Sequence, residues 1–301
     1  RPERQLLGVF PRPGVLRVGG RGWFDAWCHA FATVATGGFS TRTASIGAFG
    51  SLYVEIVIIV FMVASGMNFA LHYRALRGQP GAYLRDSEFK FYLTILAAGS
   101  VVVAGALLLS GAVSTPGRAL RDATFAAASI MTTTGFATAD FNHWPGFARL
   151  VLLLLMFVGG CAGSTGGSMK VVRILVSLRA LGREVRRWLH PQAVMSVKVA
   201  HVAVDAEMVM NVVTFVLTYL AIFVGATVLM SLHFGNDWIS AASSVAATLG
   251  NVGPGFNLVG PMANYATIPP VGQGLLALLM LLGRLELYTI LVLFIPSFWR
   301  R

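Results

Sequence analysis

An all-α integral membrane fold, built from repeats of span, short re-entrant segment and span, is what this sequence predicts, on three observations. Hydrophobic residues make up 56% of the chain and charged residues 12%, with a mean hydropathy of +0.72; a soluble domain carries about twice that charged share. Several apolar runs are long enough to cross a bilayer. Finally, the stretches 31–40 (FATVATGGFS), 128–137 (ASIMTTTGFA) and 246–255 (AATLGNVGPG) repeat one pattern, a short semi-polar helix running into a Thr/Asn/Gly stop. Non-helical backbone survives at membrane depth only when it is buried in protein or lines a water-filled path, and rings of its carbonyls can replace an ion's hydration shell. Self-similarity of this kind points to a repeat architecture, and repeats in transporters place the substrate site at their interface.

The elements follow in order. Residues 1–21 carry Arg1, Arg4, Arg12, Arg17 and Arg21 among Pro and Gly; they contain no apolar h-region of a signal peptide and form an unmatched N-terminal segment. Residues 22–77 hold a partial unit, a pore loop followed by a span over 52–73. Gly78-Gln79-Pro80-Gly81 marks a turn. Residues 78–198 hold a complete unit: a span over 89–109, a short segment over 118–133 ended by Gly135, and a span from 147 that the glycine-rich run 159–167 interrupts. A basic linker, 179–198, follows. Residues 199–301 hold another complete unit, with a span over 208–232, a short segment over 237–249 and a last span over 272–294 containing Arg284 and Glu286.

The formal net charge of +11 is collected between the spans. Arg74, Arg77, Arg85 and Lys90 form one cluster, and Arg179, Arg183, Arg186, Arg187, His190 and Lys198 a second; Arg300 and Arg301 close the chain. Two crossings per unit put every linker on one side, and the positive-inside rule makes that side the cytoplasm. The C-terminus is then cytoplasmic and the pore loops enter from outside. Anionic lipid headgroups, not nucleic acid, are the partner this charge fits. The two cysteines, Cys28 and Cys161, offer neither a disulfide framework nor metal-ligand spacing.

The loop tips are the candidate cation ligands: Thr36, Gly37 and Gly38 align with Thr133, Thr134 and Gly135, and with Asn251, Val252 and Gly253. Glycine reaches the φ > 0 geometry that turns a carbonyl toward an axis, and the negative end of each short helix favours a cation nearby. Helix punctuation alone would explain one such loop; three in matching positions argue for an ion path. The run Gly159, Gly160, Gly163, Ser164, Thr165, Gly166 and Gly167 is too glycine-rich to stay helical. It reads as a flexible intramembrane loop beneath the filter, with small-residue packing as the bland alternative. A nucleophile loop on Ser164 lacks the Gly-x-Ser-x-Gly pattern and an evident base. Arg284, placed mid-span, needs a cavity or a partner; Glu286, two positions on, points elsewhere. Glu55 reads as interfacial.

These residues resemble a known family. The segments 22–26 (GWFDA), 35–41 (ATGGFST), 132–140 (TTTGFATAD), 157–167 (FVGGCAGSTGG), 171–174 (VVRI), 190–192 (HPQ), 282–286 (LGRLE) and 298–300 (FWR) resemble TrkH, the bacterial potassium-uptake subunits of the Trk/Ktr/HKT superfamily, from about residue 22 to the end. The resemblance implies four membrane helix–pore loop–membrane helix units in pseudo-fourfold array around one potassium path. It implies filter carbonyls from the nine loop-tip residues named above, the 159–167 loop as gate, and Arg284 beside it. It also implies a homodimer on a cytosolic nucleotide-binding subunit of TrkA type, in the bacterial inner membrane, with potassium as substrate, no cofactor and no enzymatic activity. Only three loops are present, so at least one unit is missing, and the expectation is an N-terminally truncated potassium transporter, or alternatively a non-conducting fragment of one.

Overall fold

The computed structural model describes residues 22–192, 195–199, 202–285 and 287–299. The expectations for 1–21, Glu286, Arg300 and Arg301 fall outside the described residues.

Twelve described α-helices carry the architecture. The first pore helix is α1 (Trp23–Val34), and the helix after its loop is α2 (Leu52–Ser65), which turns into α3 (Phe69–Leu76). A short α4 (Ala82–Arg85) leads to α5 (Ser87–Leu109), the pore helix α6 (Pro116–Met131), and α7 (Gly146–Met156). The irregular 157–170 segment precedes α8 (Val171–Leu189). Then come α9 (Ala206–Phe234), the pore helix α10 (Trp238–Leu249), α11 (Pro270–Arg284) and α12 (Leu287–Leu291). The only paired strands among the described residues form a small antiparallel ladder, β1 (Val197–Val199) with β2 (Val202–Val204), in which Val197 faces Val204. It starts at the end of the basic stretch expected as a linker over 179–198, whose first half belongs to helix α8, and runs past it.

Among the described residues, only α5 and α9, of 23 and 29 residues, are long and apolar enough to cross a membrane unaided. At 1.5 Å per residue they reach about 34 Å and about 43 Å, against a hydrocarbon core of about 30 Å. The helix after each pore loop is broken instead. The span expected over 52–73 is two helices bent by 101° at residues 66–68. Gly66 directs its carbonyl to the Cys161 N–H (2.8 Å), and the Asn68 side chain caps α3 by accepting the Ala70 N–H (2.8 Å). In the span expected over 272–294 the first helix ends at Arg284, and the five-residue α12 and short 3-10 turns follow. Gly283 there presses on the end of α10, where an added Cβ would stand 1.9 Å from the Leu249 carbonyl. Arg284 is therefore at a helix end within that run. The expected interruption of the 147 span is present, between Met156 and Val171.

The pore helices are the most enclosed elements. Ala123, Ala127 and Ala128 of α6, and Ala241, Ser243, Ser244, Ala247 and Thr248 of α10, are fully buried. Small side chains let neighbouring helices approach closely, as membrane interiors require. Their hydroxyls stay satisfied by bonding back along the helix: Thr132 to Ala128 O (2.7 Å), Ser244 to Ala241 O (2.8 Å) and Thr248 to Ser244 O (2.7 Å). One apolar cluster joins α1, α2, α5, α6 and α7, and a second joins α9, α10 and α11. The edge-to-face pair Phe157–Phe223 (4.8 Å) bridges them, and Phe141–Phe256 (5.6 Å) lies within the first.

A polar anchor sets where the pore helix α10 begins. Asp237 caps α10 through Ser240 N (3.1 Å), takes the Ser240 hydroxyl (2.6 Å) and receives the Asn257 amide (2.9 Å). Burial pushes its carboxyl up, but these donors outweigh it and hold the group below the ordinary carboxylate value. Its stabilisation is therefore present above the unfolded value of about 3.9 and is lost only as pH falls through the lower folded-state value. Asp237→Ala is expected to remove about 1 kcal/mol of stability at neutral pH. Thermal unfolding in detergent checks this, and the deficit relative to the parent should shrink in strong acid.

Candidate functional site

The three loop tips share one backbone conformation. Each pore helix ends in a Schellman turn: Gly37 N–H reaches Ala32 O (2.8 Å), Thr134 N–H reaches Ser129 O (2.9 Å) and Val252 N–H reaches Ala247 O (2.8 Å). The residue that takes the left-handed conformation in such a turn is normally glycine. Here it is Thr36 (φ 49°), Thr133 (φ 56°) and Asn251 (φ 55°). Two β-branched residues hold a geometry they rarely adopt, and strain of this kind persists only where the surroundings enforce it. Two residues on, Gly38 (φ 66°), Gly135 (φ 80°) and Gly253 (φ 103°) again have positive φ.

The tips also meet edge to edge. A Cβ on Gly38 would lie 1.9 Å from Thr134 O, and one on Gly135 would lie 2.2 Å from Val252 O. Loop one thus abuts loop two, and loop two abuts loop three, each through a glycine against its neighbour's carbonyl. Gly253, the corresponding glycine of loop three, faces open space within 4 Å. Its carbonyl accepts the Tyr265 hydroxyl (2.6 Å). The C-terminal ends of the three short helices are thus brought side by side through their loop tips.

The glycine-rich segment lies against the same tips. Its two ends are pinned together, since Val158 bridges Met169 and Gly159 N–H donates to Met169 O (2.8 Å). Between them, the Thr165 carbonyl accepts the Thr36 hydroxyl (3.0 Å) and the Arg284 guanidinium (2.9 Å). The Gly166 carbonyl accepts the Lys170 ammonium. Gly167 N–H donates to the Thr133 hydroxyl (2.6 Å), and a Cβ on Gly167 would lie 2.6 Å from Gly250 O. One segment thus touches all three loops. Gly160 packs on Gly66, Gly163 (φ 73°) accepts the Phe69 N–H (3.3 Å), and the Ser164 hydroxyl turns inward to Cys161 O (2.6 Å). Although flexibility is the expectation from its composition, the segment is hydrogen-bonded along its length in this state.

A cavity of about 310 Å³ opens on the other side of the segment, lined by Thr165, Gly166, Lys170, Arg173, Phe215 and Arg284 among others. The Arg173 guanidinium stacks over the Phe215 ring at 3.9 Å. Two of these cationic side chains hold segment carbonyls, Arg284 that of Thr165 and Lys170 that of Gly166. Lys170 and Gly283 were not among the residues the sequence pattern assigns to this site. Lys170 follows the glycine run directly, and an intramembrane cation is a signal in itself; Gly283 gives no sequence signal beyond being glycine.

Comparison with known proteins places this arrangement. The sequence model of the TrkH family, described as cation transport protein, matches residues 12–301, starting inside the segment expected to be unmatched. The chain is 42% identical over 283 residues to the Trk system potassium uptake protein TrkH of Halomonas elongata, covering 94% of this chain and 58% of that protein. It is 40% identical over 278 residues to the protein of the same name from Escherichia coli K12, covering 92% and 57%. The crystal structure of the potassium transporter TrkH from Vibrio parahaemolyticus superimposes with a TM-score of 0.90 at 38% identity, over 97% of this chain and 62% of that one. The chain thus spans less than two thirds of the length of each of these relatives.

Proposed function

This chain belongs to the TrkH family of cation transport proteins, and from that premise we propose that it forms three sides of a potassium path. Thr36 to Gly38, Thr133 to Gly135 and Asn251 to Gly253 supply filter carbonyls. The 159–167 segment, held by Arg284, is the gate. The observation that carries the reading is the contact of the three tips, each glycine seated against the neighbouring carbonyl with matching backbone geometry. The open side at Gly253 is where a further loop completes the ring, and that side is what favours the alternative of a chain that does not conduct by itself. Potassium is the substrate, and no catalytic residue or cofactor is assigned. The full transporter works in the bacterial inner membrane as a homodimer with a nucleotide-binding cytosolic subunit of TrkA type, its C-terminus cytoplasmic beside the basic clusters.

Potassium uptake by a deficient cell tests this. The full-length transporter containing this chain restores growth at low potassium, and this chain alone does not. Restoration by the chain alone would show that three sides suffice. Failure of the full-length protein, correctly inserted, would remove the potassium assignment.

A further inference from the structure

We infer that Glu88 is the positioning residue that keeps the glycine-rich segment in its closed seat; the inference rests on reading that segment as the gate. Glu88 is the second residue of α5 and is buried, with 8% of its surface exposed. A single carboxylate oxygen, Oε1, accepts the N–H of Ala162 (2.7 Å), inside the segment, and the N–H of Val172 (3.2 Å), at the start of α8. One side chain from a continuous span thus ties the segment to the helix that follows it. A buried carboxylate is costly unless hydrogen-bonded, and charge-assisted bonds of this kind are the strong ones.

The elbow between α2 and α3 meets the same stretch from the opposite side. Cys161 N–H donates to Gly66 O (2.8 Å), Phe69 N–H to Gly163 O (3.3 Å) and the Thr165 hydroxyl to Ser65 O (3.3 Å). Residues 161–163 are therefore clamped between Glu88 and the elbow. The elbow's groups are main-chain atoms that any residue supplies, whereas the Glu88 contact depends on one side chain. Lifting the segment off the loop tips while α5 stays in place requires Oε1 to release Ala162, Val172 or both. Among the described residues, the Glu88 hydrogen bonds run to Ala162 and Val172 and to no filter residue, so its effect falls on opening and not on selectivity.

The experiment is single-channel recording of the full-length transporter in planar bilayers, paired with hydrogen–deuterium exchange of peptides covering 159–173. Glu88→Ala is expected to raise the open fraction about tenfold, the effect of losing roughly one charge-assisted hydrogen bond. Unitary conductance and the potassium-to-sodium permeability ratio stay at parental values, and the 159–173 amides exchange faster. Glu88→Gln, which keeps an acceptor oxygen at the same reach but not the charge, gives an open fraction between those of Ala and the parent. Glu88→Asp, one methylene shorter, moves in the direction of Ala and carries the test where Ala does not fold. Parental open fraction and exchange in Glu88→Ala or Glu88→Asp would overturn the inference. Deletion of 162–166 separates the two readings. A deletion that opens the path while Glu88→Ala does not leaves the gate and removes Glu88; a deletion without effect on opening removes the gate itself.

Discussion

Gly135→Ser in the full-length transporter is expected to lower the potassium-to-sodium permeability ratio by about tenfold or more, equivalent to about 1.4 kcal/mol or more. Two effects add. Gly135 sits at φ 80°, where a side chain stores about 1–3 kcal/mol of strain. Its Cβ would also stand 2.2 Å from Val252 O, so the backbone of loop two or loop three must move. Either movement shifts carbonyls that must take the place of an ion's water. Gly38→Ser meets Thr134 O at 1.9 Å and behaves in the same way. Gly105→Ala, in α5 with nothing within 4 Å of an added Cβ, is the neutral control. Bi-ionic reversal potentials read all three. An unchanged ratio in both serine variants would mean that these glycines do not shape the filter.

Arg284→Ala is expected to raise basal potassium flux by roughly tenfold or more, because a hydrogen bond to a charged group is worth about 1.5–3 kcal/mol. The Thr165 carbonyl is held by Arg284 and by the Thr36 hydroxyl. Removal of the guanidinium frees one of those ties and takes a positive charge from the wall of the cavity. Arg284→Lys keeps the charge but not the planar fork that reaches Thr165, so its flux should lie between the two. Potassium efflux from proteoliposomes without the regulatory subunit measures this. A basal flux no higher than the parent's would separate Arg284 from gating.

The loops were legible because their signal is local. A Thr/Asn–x–Gly stop after a short semi-polar helix requires the same backbone wherever it occurs, and three copies fixed the repeat. The re-entrant segments 118–133 and 237–249 correspond to α6 and α10 within two residues at each end, since Gly135 and Gly250 punctuate them. The interruption at 159–167 was legible for the same reason. What the sequence concealed depends on distant partners. Residues 52–73 read as one apolar run because Gly66 and Asn68 are only two weak breaks; the group that opens the helix there is the Cys161 N–H, nearly a hundred positions away. The run 272–294 likewise reads as continuous, but Gly283 meets the carbonyl of Leu249 and Arg284 meets that of Thr165. Glu88 was hidden by its company, since Arg85, Asp86 and Lys90 make it look like one more interfacial charge. Only the fold brings its carboxylate to the segment that starts seventy positions later.

The full-length transporter crystallised with thallium in place of potassium provides the most direct measurement. Anomalous density is expected at the common focus of the three tips, within coordination reach of carbonyls from Thr36–Gly38, Thr133–Gly135 and Asn251–Gly253 together. Density confined to another part of the molecule, with that focus empty at saturating thallium, would contradict the account.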